Sequence, residues 1–103
     1  MEYPSFPEVR IVGMHFRGAE MVEYASALQG GEELFLEREP ENQYDQNAIK
    51  VLTNDGAHLG YIERGQAAWI SGHMDEGATY LARVDRVVPF KNTVHVVCNV
   101  EPR

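Results

Sequence analysis

Between Glu37 and Val51 the chain reads EREPENQYDQNAIKV, and Asn42, Tyr44, Asp45 and Asn47 crowd into that one connection. A carboxylate accepts hydrogen bonds and repels anions, side-chain amides donate and accept, and a phenol offers a flat apolar face with a polar tip. Such a set suits recognition by stacking and hydrogen bonding. The same residue types also build turns: Pro40 sets a backbone angle, and Asn or Asp side chains bond their own backbone two residues on. Turn chemistry does not call for Tyr44, because a ring placed among polar loop residues serves better to stack on or anchor a partner. Both readings stand at the level of these residues.

Other chemistries find less support. His15, His58, His73 and His95 are scattered without ligand spacing, so no structural zinc is expected. Cys98 falls mid-strand on an apolar face, where a thiol is inert. Gly30-Gly31 follows a helical pattern and is a stop rather than a phosphate loop. The carboxylates form no pattern that points to metal-dependent hydrolysis. No enzyme activity, metal or cofactor is expected.

The elements that must position the connection follow from periodicity. Arg10–Phe16, RIVGMHF, has strand character, and Ala19–Leu28 carries Met21, Tyr24, Ala25 and Leu28 at helical spacing. EELFLERE is a strand ended by Pro40. AIKVLT and HLGYI form a hairpin across Asn54-Asp55-Gly56. RGQAAWISGHMDEG is a second helix with Ala67, Ile70 and Met74 in a stripe. ATYLARVDRVV and TVHVVCNV are long strands joined through residues 89–92, with Val94, Val96, Cys98 and Val100 at period two. The predicted fold is mainly β with two short helices. A small β-barrel of the oligonucleotide-binding type is expected, with a two-layer α+β sandwich as the alternative. Residues 1–8 are expected as an N-terminal tail and 9–103 as one domain.

The totals bound the function. A chain of 103 residues is a single-domain length, and no apolar run approaches the roughly 20 residues of a membrane span. With no secretory pattern at the N-terminus and one cysteine, a cytoplasmic location without membrane contact is expected. Asp and Glu outnumber Lys and Arg 16 to 9, giving a net charge of −7, with the acids concentrated between Glu20 and Asp45. That field repels phosphate at long range.

The stretch NxYDxNAI at Asn42–Ile49, with IVGMHF at Ile11–Phe16, GYI at Gly60–Ile62 and VVPF at Val87–Phe90, resembles the signature of the HIRAN domain across about four fifths of the chain. The resemblance implies an oligonucleotide-binding-like barrel that captures the free 3′ end of single-stranded DNA, in the service of repair, replication or defence. By position it implies that Asp45 meets the terminal 3′-OH, Tyr44 and Phe16 sandwich the last base, and Phe90 touches a neighbouring one. Asn42, Tyr61 and Arg64 would lie along the backbone. The chain departs from the family pattern at four positions: His15 stands for an arginine usual in animal members, Phe16 for a tyrosine, Gln43 for a proline and Tyr61 for a histidine. Potential cations are lost, and Glu41 and Glu63 flank the motif. The implied partners are a single-stranded DNA 3′ end and a helicase, nuclease or other DNA-processing protein. The charge balance favours a second reading, a protein-interaction module that uses its acidic surface.

Overall fold

In the computed structural model, which describes residues 2–103, six strands close into one antiparallel barrel. They are β1 (Phe6–Val12), β2 (Glu33–Arg38), β3 (Ile49–Leu52), β4 (His58–Ile62), β5 (Tyr80–Phe90) and β6 (Thr93–Pro102). Around the barrel the order is β1-β4-β3-β2-β5-β6, with β6 pairing back to β1. Two helices, α1 (Ala19–Ser26) and α2 (Arg64–Asp75), connect β1 to β2 and β4 to β5. The closed cylinder settles the architecture in favour of the barrel over the two-layer sandwich.

The inward residues of each strand fill the cylinder. Ile11, Leu34, Ile49, Val51, Leu59, Val96 and Val100 are fully buried, and Ala67 and Ile70 of α2 seat on the same core. Cys98 is buried among them, and burial pushes its thiol up to about 12. At the β1–β4 seam the backbones come close enough that a Cβ on Gly60 would lie 2.6 Å from the Val12 carbonyl oxygen. Only glycine fits there.

Two observations revise the first strand. β1 begins at Phe6, which pairs with Val100, and a register shift separates Phe6 from Val9 where Glu8 takes a φ of 57°. Phe6 thus pairs in the barrel, while Pro7 and Glu8 lie in the irregular stretch before the ladder resumes at Val9. The strand expected to run on to Phe16 ends at Val12. Gly13 adopts a left-handed φ of 82°, and Met14–Arg17 form a 3₁₀ turn in which the Phe16 amide donates to the Gly13 carbonyl at 3.0 Å. Met14 points into the core, while His15 and Phe16 are turned out to solvent.

No helix of the described residues is long and apolar enough to cross a membrane.

Candidate functional site

The connection between β2 and β3 is built from its own side chains. Asn42 Oδ1 accepts from the backbone amides of Tyr44 (2.9 Å) and Asp45 (3.1 Å), and Asp45 Oδ1 accepts from the Asn47 amide at 2.9 Å. Arg38 secures the far side: its guanidinium donates to the carbonyls of Ala48 (2.8 Å) and Gln46 (3.0 Å) and grips the Asp75 carboxylate at the end of α2. The turn chemistry anticipated for this stretch is therefore present at Asn42 and Asp45. It leaves Tyr44 over, a residue 86% exposed.

A cleft of about 800 Å³ opens beside this loop, lined by Phe16, Asn42, Tyr44, Asp45, Tyr61 and Arg64 over a floor of Val12, Ala48 and Ile62. Five segments contribute: the end of β1, the 3₁₀ turn, the β2–β3 loop, β4 and the first residue of α2. Phe16, 81% exposed, and Tyr44 present two open rings. Asp45 is more withdrawn, with 18% of its side chain accessible. One of its oxygens is committed to the Asn47 amide, and the other lies 3.9 Å from Arg64 Nε. Arg64 also donates to the Tyr44 carbonyl at 3.2 Å while most of its side chain stays in solvent.

Glu39, not singled out in the sequence, organises the back of the cleft. It accepts from Asn42 Nδ2 at 3.0 Å and from the Tyr61 hydroxyl at 2.8 Å, with Lys50 Nζ at 3.5 Å. The Asn42 bond, then those of Tyr61 and Lys50, hold its carboxyl below the usual carboxylate range, overcoming the opposing effect of burial. Burial, followed by the Glu39 partnership, pushes the Tyr61 phenol up. The Tyr61 ring is braced edge-on by His58 at 4.9 Å. The signal for Glu39 was its offset of three from Asn42, hidden by its place in a run of acids that reads as a solvated surface.

The acids are less hostile to the cleft than their number suggests. Glu63, which flanks the motif, also caps α2, its carboxylate accepting from the amides of Gly65 (2.9 Å) and Gln66 (3.2 Å). Glu37 and Glu39 share Lys50. Burial, then the charge of Arg17, which follows Phe16 in the same turn, holds the His58 imidazole below its usual range, and the same charge partly offsets the rise of the Tyr61 phenol.

His15 and Phe90 lie outside the cleft lining. The His15 ring packs on Phe16 with centroids 4.0 Å apart. Phe90, at the tip of the β5–β6 hairpin, stacks on His95 at 4.1 Å.

Comparison with known proteins brings these observations together. The HIRAN domain family model matches residues 6–101. The chain is 38% identical over 81 residues to the helicase-like transcription factor of Mus musculus, covering 79% of this chain and 7% of that protein, so it spans a small fraction of the curated relative's length. A solved structure of a protein from Lactobacillus plantarum superposes with a TM-score of 0.76 at 32% identity, covering 94% of both chains. The crystal structure of the HIRAN domain of human HLTF superposes with a TM-score of 0.63 at 26% identity, covering 94% of this chain and 76% of that one.

Proposed function

The chain belongs to the HIRAN domain family, and from that premise we propose that its cleft captures the free 3′ end of single-stranded DNA. The observation that carries this reading is the pairing of one withdrawn carboxylate, Asp45, with two open rings, Tyr44 and Phe16, around one cleft. A carboxylate repels an internal phosphodiester but accepts a hydrogen bond from a terminal hydroxyl, which carries no charge. Asp45 Oδ2 is the acceptor, since Oδ1 is used by the Asn47 amide. Tyr44 and Phe16 stack on the last base. Stacking is worth about 1–3 kcal/mol per base and tolerates any base, so sequence preference is slight. Arg64 and Arg17 supply the nearby positive charge, and the Asn42–Glu39–Tyr61 network keeps the back wall rigid.

Such a module binds and does not react, and it acts as an accessory to a helicase, a nuclease or another DNA-processing protein. The helicase-like name of the mouse relative supports that class of partner.

The test is fluorescence anisotropy with a short oligonucleotide ending in a 3′-OH, against the same strand ending in a 3′-phosphate. The hydroxyl-ended strand binds, and the phosphate-ended one binds at least about tenfold more weakly, a difference of about 1.4 kcal/mol. Asp45→Asn removes the distinction, because an amide does not repel the terminal phosphate. Equal binding of both strands by the unaltered protein would reject the reading. Binding of neither would reject it too and favour the acidic surface as the working face.

A further inference from the structure

One large side chain of α2 serves neither the core nor the cleft. Trp69, the one tryptophan of the chain, is 75% exposed, although Ala67 and Ile70 of the same helix are fully buried. Positions 65, 69, 72 and 76 follow at spacings of four, three and four, so Gly65, Trp69, Gly72 and Glu76 form one stripe on the solvent side, with Ala68 beside it. All five are exposed. The indole thus rises from a shallow floor with a glycine one turn to either side. Gly65 has a reason within the chain, because a Cβ there would lie 3.3 Å from the Glu63 carboxylate that caps the helix. Gly72 has none: its backbone is ordinary helix, and a Cβ would meet nothing within 4 Å. Glycine weakens a helix interior relative to alanine, so the fold alone gains nothing from its absent side chain. Charge is divided between the two ends of the same face. Arg64, with 77% of its side chain accessible, opens the helix, and Asp75 (56%) and Glu76 (65%) close it. Arg64 and Asp75 lie about three whole turns apart and so share one flank.

We propose that a second copy of the chain docks on this face, the two α2 helices packing antiparallel about a two-fold axis. The proposal does not depend on what the cleft binds. A two-fold contact needs a patch that complements itself. Ala68 and Gly72 stand equally far from position 70, and so do Arg64 and Glu76. An axis beside that position sets each Ala68 against the other copy's Gly72 and each Arg64 against the other copy's acidic end. Helical side chains lean toward their own N-terminus, which carries each Trp69 ring over the other copy's Gly72. The missing side chain of Gly72 then has a use, as the hollow that receives an indole. The helix dipoles run head to tail in the same arrangement and add to the attraction. A parallel pairing would place like charge on like, and a nucleic-acid strand stacked on Trp69 would meet Asp75 and Glu76, which repel phosphate. One helix face of this length buries less than the roughly 1,200 Å² of a stable complex, so the association is weak and half complete on the order of 100 µM.

The experiment is sedimentation velocity on the unaltered protein from about 5 µM to about 1 mM, a span that brackets the expected midpoint, with Trp69 emission recorded on the same samples. As the sole indole, Trp69 reports on this face alone. The sedimentation coefficient rises toward that of a dimer, while the emission shifts to the blue and resists quenching by acrylamide. Trp69→Ala, followed by sedimentation, weakens association at least about tenfold. Gly72→Gln fills the hollow and weakens it as much, yet raises the thermal midpoint, because it replaces a glycine inside a helix. Loss of association in a better-folded variant separates docking from folding. Glu76→Arg takes the net charge from −7 to −5, which by itself favours self-association, yet it sets a cation against Arg64 and weakens the dimer. Adding Arg64→Glu to Glu76→Arg restores the contact with the charges exchanged. A single monomeric species at every concentration, with emission that does not move, overturns the proposal. A dimer that survives both Trp69→Ala and Gly72→Gln uses another surface and overturns it too. A dimer that Glu76→Arg strengthens, or that the double exchange fails to restore, overturns the antiparallel arrangement.

Discussion

The two connections that flank β3 are made by the same chemistry and end differently. At Thr53–Ala57, the buried Thr53 hydroxyl accepts from the Ala57 amide at 2.9 Å and donates to Asp55, and Gly56 supplies a left-handed φ of 86°. The Thr53 hydroxyl spends both its donor and its acceptor within the turn, and no ring is involved. At residues 39–48, Asn42 and Asp45 bond the backbone in the same manner. Here, however, an exposed tyrosine and one carboxylate oxygen remain unused by the turn. A connection that exists only to reverse the chain consumes its polar groups internally. What is left over after that accounting is why the second loop is the proposed place to bind.

The comparison can be broken most directly at the leftover ring. Tyr44→Ala, which the turn does not need, should weaken single-stranded DNA binding by about 5- to 150-fold, the equivalent of 1–3 kcal/mol of stacking, with an unchanged thermal midpoint. Anisotropy and a melt on one preparation check both halves. The reciprocal change on the other side of β3 is Thr53→Val, which strands the Ala57 amide. It should cost about 1–3 kcal/mol in urea unfolding and leave DNA affinity within error of the unaltered protein.

A smaller effect sharpens the contrast. Glu39→Gln should cost about 1 kcal/mol, because the Tyr61 and Asn42 donors lose a charged acceptor. The Glu39 carboxyl titrates lower in the folded protein than in the unfolded chain. Its contribution is accordingly complete above the ordinary glutamate range and disappears as pH falls through the depressed folded value. Unfolding curves of Glu39→Gln and the unaltered protein, separated at pH 7, should therefore converge in acid. A gap of constant size down to pH 3 would mean that the carboxylate is not what holds the cleft's back wall.

Much of the barrel was legible because its strands alternate. HLGYI at residues 58–62 is β4, and the apolar residues of β6 at Val96, Cys98 and Val100 face inward at period two. The first strand was not, because Pro7 disguises its start and Gly13 redirects its end. That single glycine takes Phe16 out of a ladder and into the cleft, an outcome that side-chain alternation cannot foretell. In the cleft itself, Tyr44 and Asp45 could be picked out because a turn has no use for a ring. Glu39 escaped notice because a carboxylate in a charged run looks like solvent-facing surface until its two donors are seen in space. The capping role of Glu63 was hidden in the same way among the acids.

The seam between β1 and β4 is short. Only Ile11 opposite Ile62 and Val12 opposite Tyr61 pair across it, whereas β5 and β6 run side by side from Tyr80 to Phe90. Val12, Tyr61 and Ile62 also line the cleft. The cylinder is thus thinnest where it would meet a ligand, and among its strands this is where fluctuations should first part the ladder. Deuterium should enter the amides along this join well before those of the long hairpin, and an occupant bridging the gap should slow that entry, so that occupancy is written into the protein's own breathing.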